Sequence, residues 1–440
     1  MPSPDEAKRS CDYFLFFAII IVWFRFEGCK GTIPALKTAH QVPSESNWLS
    51  GEQPEAAALL AVPEDEQKQL GYFHTLKEIL QQPLTWVDTA ARMIADRAAI
   101  EQKLAGAASI VLTGSGSSQY AGECVRLVLQ RELNIPVDAI DGGALLTYAS
   151  AILPPLRPCV VVSLARSGDS PESVGALSQL LQNEPGISHL VLTCNRDGAL
   201  ARPDLHDDRV HPVVLDERTN DRSLVMTSSF SNLVLAARFL GLTRRPDIYG
   251  NIAARASALC VDMLSSYFGT IAETGRREFR RAIFLASGPR VGAAREAGLK
   301  MLEMTAGRVA TIAESYLGLR HGPMSYVHED TLIVCFLSCD SVLRSYETDL
   351  IEELNRKDLG LAKILVGENI AASLCGPRDV ILQIPGLSDV GDGNAALLDV
   401  VVGQLLAFAR CRHEGLKPDS PSEAGVINRV VESFQVYQRG

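Results

Sequence analysis

Two carboxylates and one amine lie on a single predicted helix in the second half of the chain. Segment 291–305 carries Glu296, Lys300 and Glu303 at spacings of four and three, which places them on one helical face. Pairs at this spacing usually form a salt-bridge stripe on a helix surface. A catalytic interpretation is also open, because a carboxylate on a rigid helix can act as a general base and an ammonium can stabilise a developing anion.

A histidine in a predicted tight turn is the second candidate for acid–base chemistry. His321 stands directly before Gly322 and Pro323. A single histidine is more often structural than catalytic. Imidazole groups nevertheless exchange protons near neutral pH, so a proton-transfer role is open as well.

A junction between a strand and a helix at 159–173 supplies candidate anion-binding groups. It reads CVVVSLARSGDSPES, in which a β-branched run breaks at a hydroxyl-rich turn and Ser170–Pro171 starts a helix. Backbone N–H groups and the helix dipole favour an anion there, and Ser167 and Ser170 can donate hydrogen bonds to it. An ordinary capped turn is the alternative.

Two further turns repeat this pattern. GSGSS follows a predicted strand at 109–113, and MTSS, which contains Thr227 and Ser228, opens a helix. Gly116 allows close backbone approach, although the third glycine of the dinucleotide-binding pattern is missing. Hydroxyl-rich turns at the carboxyl ends of parallel strands predict a polar crevice, the usual ligand position in open α/β sheets.

The order of strands, turns and helices predicts an α/β fold with two domains, each a mostly parallel sheet between helical layers. Gly116 and Gly288 are offset by 172 positions, and so are Ser167 and Cys339, which indicates an internal duplication whose second copy has lost the SGDS turn. The predicted segments are an extension at 1–50, a helical part at 51–108, domains at 109–247 and 248–412, and a tail at 413–440.

Composition narrows the class of protein. The chain has 440 residues, 47% of them hydrophobic and 21% charged, which is typical of a globular protein with room for two domains. The net charge of −10 without a basic cluster argues against a nucleic-acid partner. Ten cysteines without a CxxC pair indicate reduced thiols in a cytoplasmic protein, with neither a zinc site nor a disulfide framework.

The first 50 residues differ from the rest. Lys8 and Arg9 precede an apolar run that begins at Phe14 and ends at Phe24, which is typical of a signal segment but shorter than the roughly 20 residues of a membrane span. Three interpretations are open: a signal or anchor segment, a partner helix, or upstream sequence included by a misplaced start codon. The cytosolic character of the remaining chain favours the last, so we expect the segment to be dispensable.

The motifs in their order resemble the double sugar-isomerase (SIS) family. SGSGSS, ARSGDSPES, MTSS, REAGLKMLE and RHGP follow one another, and the resemblance runs from about Gly71 to the C-terminus. The chain is similar to the isomerase domain of glucosamine-6-phosphate synthase. It is most similar to the AgaS group, described as galactosamine-6-phosphate deaminase/isomerases or tagatose-6-phosphate ketose/aldose isomerases. The resemblance implies two tandem SIS domains.

The resemblance also implies roles for individual residues. Glu303 matches the base that moves a proton between C1 and C2, with Lys300 and Glu296 as its helix neighbours. His321 matches a ring-opening histidine that reaches the site of the facing subunit, which implies a homodimer or larger assembly. The implied phosphate- and sugar-binding residues are Gly116, Ser117, Ser118, Arg166, Ser167, Gly168, Ser170, Thr227, Ser228 and Arg429.

Two departures from the synthase pattern are visible. Ala165 stands where a serine opens the phosphate turn, and Arg429 stands where the synthase has a lysine, so no Schiff base can form there.

The resemblance therefore implies a phosphosugar isomerase/deaminase that converts D-galactosamine 6-phosphate into D-tagatose 6-phosphate and ammonia, without a metal or organic cofactor. The alternative is a non-catalytic regulatory SIS protein that binds a phosphosugar. Retention of both Glu303 and His321 favours the enzyme.

Overall fold

Two parallel five-stranded sheets form the framework of the protein, of which the computed structural model describes residues 53–202, 207–422 and 424–437. The predicted extension at 1–50, with its apolar run, lies outside the described residues. Strands β1 to β5 of the first sheet are Ser109–Gly114, Val137–Asp141, Cys159–Ala165, Ile187–Thr193 and Val210–Val214. Strands β6 to β10 of the second sheet are Arg281–Ala286, Ala310–Ser315, Thr331–Phe336, Ala362–Gly367 and Val380–Gln383.

The two sheets share one topology. The first has the order β2-β1-β3-β4-β5, and the second has the corresponding order β7-β6-β8-β9-β10. Strand β6 begins and ends 172 positions after β1. The turns that follow these strands contain Gly116 and Gly288, and both glycines have a φ of 57°. The α/β architecture with two tandem parallel sheets is thus confirmed, and its symmetry agrees with an internal duplication.

Helices cover both faces of each sheet. In the first half, α1 to α9 are Pro54–Ala61, Glu64–Leu70, Phe73–Leu80, Gln82–Ala95, Arg97–Leu104, Ser117–Leu133, Gly142–Ile152, Pro171–Asn183 and Ser228–Arg238. In the second half, α10 to α15 are Pro246–Gly275, Val291–Met304, Tyr316–Leu319, Ser341–Arg356, Leu387–Val390 and Asp392–His413. The long helix α10 crosses the predicted limit between 247 and 248, and the domain limits stay a prediction.

Alternate residues of the central strands pack into different layers, as the period of a β-strand requires. Ile110 and Leu112 of β1 face a central core, whereas Val111 packs with α7 and α8 on the outer face. In the second sheet Phe284 faces the same central core, whereas Ile283 packs with α12 and α13. Each sheet is therefore the middle of three layers, and one hydrophobic core joins the two halves.

Helix α15 runs through this shared core. It packs against α10 and α11 and is apolar on nearly all sides. In the part of the chain that the structure describes, it is the one helix long and apolar enough to cross a membrane, yet its apolar window is completely buried in the protein. An all-round apolar helix in such a position is the central helix of a large core.

A buried ion pair secures the second half. The guanidinium of Arg290, 172 positions after Ser118, lies 2.7 Å and 2.6 Å from the two carboxylate oxygens of Asp399, and both side chains are wholly buried. Arg290 also donates to the carbonyl oxygen of Leu337 and lies 3.6 Å from Asp392.

We expect Arg290→Met to lower the free energy of unfolding by about 3–5 kcal/mol, because it leaves the Asp399 carboxylate buried without its partner. Urea denaturation followed by circular dichroism measures this change. The control is Arg97→Ala, whose partner Glu101 is partly exposed, and it should cost less than about 1 kcal/mol. Equal losses in the two variants would contradict the interpretation.

Candidate active site

A cavity of about 580 Å³ lies at the carboxyl ends of β1 and β3, between helix α11 and the C-terminal segment 424–437. Its position agrees with the predicted crevice, although only two of the three hydroxyl-rich turns contribute hydroxyls to it. The predicted site residues that line it are Gly116, Ser117, Ser118, Arg166, Ser167, Gly168, Ser170, Lys300, Glu303 and Arg429.

Two helices begin at this cavity with free hydrogen-bonding capacity. Gly116, with a φ of 57°, turns the chain so that α6 starts at Ser117. Ser170 is the N-cap residue of α8, but its side chain forms no capping hydrogen bond, which leaves the hydroxyl available to a ligand. Ser167 accepts from the N–H of Asp169 at 3.3 Å and can still donate its own proton. Helix N-termini with adjacent hydroxyls suit a phosphate group.

The carboxylate–ammonium–carboxylate set faces inward. Lys300 Nζ lies 2.5 Å from Glu303 Oε2 and 3.2 Å from Glu296 Oε1. It also donates to Ser117 Oγ at 3.0 Å, which links helix α11 to the hydroxyl-rich turn that follows β1, the first of these turns along the chain. Lys300 and Glu296 are buried, and the Glu303 side chain, 24% exposed, reaches the cavity. The surface salt-bridge stripe is therefore excluded; Leu302, at 40%, is exposed instead.

Burial and charge act in opposite directions on this set. Burial raises the pKa of Glu296 to about 7, and the nearby Lys300 ammonium only partly offsets that effect. Burial by itself would lower the pKa of Lys300, but the charges of Glu296 and Glu303 outweigh it and hold that pKa above its ordinary value. Lys300 is therefore a permanent cation next to the cavity. The Glu296 carboxyl group, on the side of Lys300 away from the cavity, titrates near neutral pH.

Arg166 lines the cavity, but its guanidinium contacts the protein itself. It donates to the carbonyl oxygens of Leu224 at 2.9 Å, Ser223 at 3.4 Å and Arg429. Burial lowers the pKa of Arg166. The residue was predicted to lie beside a phosphate. Its observed contacts tie the loop at 223–224 and the C-terminal segment to the turn that follows β3, and its place beside a phosphate stays a prediction.

The C-terminal segment forms one wall of the cavity. Arg429 donates from Nε to the carbonyl oxygen of Asp221 and from Nη2 to Asn220 Oδ1, both at 2.7 Å. Asn428 and Glu432 also line the cavity, and sequence reasoning did not single them out. The sequence motif VINRVV was the available signal, since it places polar side chains between apolar ones in a predicted tail.

Four predicted site residues lie away from the cavity lining, and one of them is the buried Glu296 behind Lys300. Thr227 and Ser228 are buried, and their N–H groups donate to the Asp221 carboxylate at 2.8 Å and 3.1 Å. The start of α9 is thus capped by the chain itself, so this placement does not support their contact with a ligand. His321 is exposed on the turn after α12, where its N–H donates to the Gly318 carbonyl oxygen at 3.0 Å, outside the cavity of its own chain.

The corresponding crevice of the second half contains an acidic side chain of the protein. Asp392 accepts hydrogen bonds from the N–H of Cys339 at 2.8 Å and from the hydroxyl of Ser338. These two residues follow β8, as Arg166 and Ser167 follow β3. The turn that is open to a ligand in the first half is therefore satisfied by an internal carboxylate in the second.

The cavity groups fit an anion. Cationic side chains, hydroxyls and helix N-termini are the groups that bind phosphate esters. Within residues 53–202, 207–422 and 424–437, no cluster of three or more His, Cys, Asp or Glu side chains could hold a metal ion.

Comparison with known proteins identifies the family. No protein-family model matches the chain. A Streptomyces coelicolor protein, provisionally named D-galactosamine-6-phosphate deaminase AgaS, is 36% identical over 370 residues that cover 83% of this chain and 95% of that protein. An Escherichia coli D-galactosamine-6-phosphate deaminase AgaS is 31% identical over 370 residues, 82% of this chain and 95% of that enzyme. The chain belongs to the AgaS family.

A solved structure agrees with AgaS membership. A Clostridium novyi protein, provisionally assigned as a tagatose-6-phosphate ketose/aldose isomerase, superposes with a TM-score of 0.81 at 29% identity, over 86% of this chain and 99% of that protein. The resemblance to double SIS-domain phosphosugar isomerases of the AgaS type is thereby confirmed.

The raised pKa of Glu296 predicts a pH-dependent contribution to stability. The folded protein holds this proton up to about pH 7, whereas the unfolded chain releases it near the ordinary value of 4.5. The contribution is therefore complete below pH 4.5 and is lost as the pH rises through 7. The unfolding free energy of the native protein minus that of Glu296→Gln should fall by about 2–3 kcal/mol between about pH 5 and about pH 7.5.

Denaturant titrations at a series of pH values measure this difference. Glu353→Gln is the matched control. In the native protein the hydrogen bond with Lys357 lowers the Glu353 pKa, so the stability difference between the native protein and this variant should rise, not fall, with pH. A difference for Glu296→Gln that stays constant with pH would contradict the assignment.

Proposed function

We propose that the protein is a phosphosugar isomerase/deaminase that converts D-galactosamine 6-phosphate and water into D-tagatose 6-phosphate and ammonia. One observation carries the proposal: the carboxylate of Glu303 and two of the hydroxyl-rich turns of the first half, those that follow β1 and β3, line the same cavity. A base and an anion site are therefore close enough to act on one small phosphorylated molecule.

The phosphate is bound at the N-termini of α6 and α8, with Ser118, Ser167 and Ser170 as hydroxyl donors. This end of the substrate does not react. Its binding energy holds the sugar carbons against Glu303 and thereby contributes to catalysis.

Glu303 acts on the open-chain sugar. Its carboxylate removes the proton from C2, and the adjacent Lys300 ammonium stabilises the negative charge that develops. Return of the proton at C1, together with transfer of one amine proton to the C1 oxygen, leaves a ketimine at C2 and a hydroxyl at C1. Addition of water to the C2=N bond then releases ammonia and leaves the ketose phosphate, so that atoms and charge balance. With a hydroxyl at C2, the same proton transfer is an aldose–ketose isomerisation.

His321 opens the sugar ring in the site of a neighbouring subunit. Its exposed position, outside the cavity of its own chain, supports this role. The active assembly is therefore at least a homodimer. The eight described cysteines are free thiols, the state that a reducing compartment maintains, and a cytoplasmic location is part of the proposal.

The phosphate assignment predicts a KM effect. We expect the double variant Ser167→Ala/Ser170→Ala to raise KM for galactosamine 6-phosphate by about two orders of magnitude or more, because two hydrogen bonds to a charged group are lost. The control is Ser228→Ala, at a buried hydroxyl outside the cavity, and its KM should stay close to that of the native protein. A KM unchanged in the double variant would place the phosphate elsewhere.

The base assignment predicts a loss of turnover with retained binding. Glu303→Gln keeps the shape of the side chain but removes the base, so kcat should fall by about 10²–10⁴-fold while KM changes little. The assay follows both ammonia and ketose. Normal turnover in this variant would refute the mechanism, and a lack of turnover by the native protein, with phosphosugar binding intact, would favour a regulatory SIS protein.

The shared site predicts complementation between two inactive chains. When Glu303→Gln and His321→Asn are co-expressed, mixed dimers contain one site with both native residues and should regain part of the activity. Each variant co-expressed with itself is the control. No recovery in mixtures that native mass spectrometry shows to contain mixed dimers would reject the shared site.

A further inference from the structure

A second cavity, of about 810 Å³, lies beside the active-site cavity and is rich in positive charge. We call it the cationic basin. The residues that define it are Lys68, Phe73, Lys77, Arg218, Arg222 and Arg429. Arg429 lines both cavities, so the basin and the active site share a wall.

The cations of the basin are only partly neutralised. Lys68 pairs with Glu64 at 2.6 Å, and Arg218 pairs with both Asp88 at 2.6 Å and Asp216 at 2.8 Å. Among the residues that the structure describes, neither Lys77 nor Arg222 takes part in an ion pair. The basin therefore offers two exposed positive charges without partners in a protein whose net charge is −10.

The acidic side chains of the wall do not cancel this charge. Five cationic side chains and three carboxyl groups line the basin. One of these carboxyl groups is Glu78, and burial, together with the charge of Asp221, raises its pKa. A concave surface with an excess of one sign concentrates ions of the other sign.

An aromatic ring brings two of these cations to the same spot. Lys68 Nζ lies 5.0 Å and Lys77 Nζ lies 5.9 Å from the centroid of the Phe73 ring. Contacts between an ammonium and a ring at this distance are attractive and hold the side chains at the edge of the cavity. The basin thus combines converging ammonium and guanidinium donors, the groups that bind phosphate esters.

Hydrogen bonds connect the basin to the active site. The guanidinium of Arg429 donates to Asn220 and to the carbonyl oxygen of Asp221, and its own carbonyl oxygen accepts from Arg166. Arg166 in turn donates to the carbonyl oxygen of Leu224, which lines the active-site cavity. An anion that attracts Arg429 towards the basin competes with these bonds and alters the wall of the active site.

We propose that the cationic basin is a second binding site, for a phosphate monoester, and that its occupancy regulates the active site through Arg429. The binding part of the proposal is independent of the proposed function. The regulatory part rests on the proposed function, because regulation is measured as a change in turnover.

Binding stoichiometry tests the site. Sorbitol 6-phosphate is a suitable probe because it has the phosphate ester but no carbonyl group, and calorimetry on the full-length chain should find two sites per chain. Ser167→Ala/Ser170→Ala should remove one of them. Lys77→Ala/Arg222→Ala should weaken the other by about tenfold or more, since each variant residue loses a charge-assisted contact.

A matched control separates local contacts from overall charge. Arg92→Ala/Arg97→Ala likewise removes two partly exposed positive charges, but outside the basin, and should keep both sites. A single site in the native protein, or an unchanged second site in Lys77→Ala/Arg222→Ala, would overturn the proposal. The targeted side chains are exposed, so folding should be preserved and is checked by circular dichroism.

Kinetics test the coupling. A probe that binds only at the active site is purely competitive and leaves kcat unchanged. With the native protein, sorbitol 6-phosphate should also change kcat, and with Lys77→Ala/Arg222→Ala it should act as a competitive inhibitor only. Purely competitive inhibition in both proteins would overturn the regulatory part. A lack of turnover in both would refute the proposed function instead, while the stoichiometry still decides the site.

Discussion

The site depends on the ion pairs and the hydrogen bond that the buried ammonium of Lys300 forms. Removal of a cation from water is costly unless opposite charges and hydrogen bonds replace the lost solvation. Glu296 and Glu303 supply the charge, and Ser117 of the first half supplies a hydrogen bond from across the shared core. Because the solvation of Lys300 requires groups from both copies, helix α11 must lie against the first hydroxyl-rich turn. The contact that stabilises the charge also assembles the cavity.

The two copies of the fold have divided the work. The first contributes helix N-termini and hydroxyls that suit an anion, and the second contributes the carboxylate and the ammonium that suit proton transfer. Neither half has the whole set. The C-terminal segment completes the enclosure through Arg429, so three parts of the chain that are distant in sequence meet at one cavity of about 580 Å³.

Local sequence patterns predicted most of the fold and part of the site. The β-branched runs and hydroxyl-rich turns predicted β1, β3 and their helices, because these signals lie within a few neighbouring residues. Strands β7, β9 and β10 were not predicted, and β7 and β10 form the two edges of the second sheet. Helical spacing placed Glu296 and Lys300 on one face but could not tell that the face points inward. The contacts of Arg166 depend on a loop 58 residues further along the chain, and a local pattern does not contain them. The cap on Thr227 comes from Asp221, six residues earlier, so a closer interpretation of that stretch could have found it.

The carboxylate of Asp392 in the second crevice has an evolutionary consequence. An ancestral repeat with two equal turns could have held a ligand in each, but the second turn now carries its own anion, backed by the pair Arg290 and Asp399. Loss of Arg290 leaves two carboxylates without their cation, and loss of Asp392 leaves the N–H of Cys339 and the hydroxyl of Ser338 without their acceptor, so each of these steps destabilises the protein. The divergence of the repeats is therefore stabilised by the fold itself, because a substitution that reopens the second turn to a ligand also removes hydrogen bonds that the second copy now depends on.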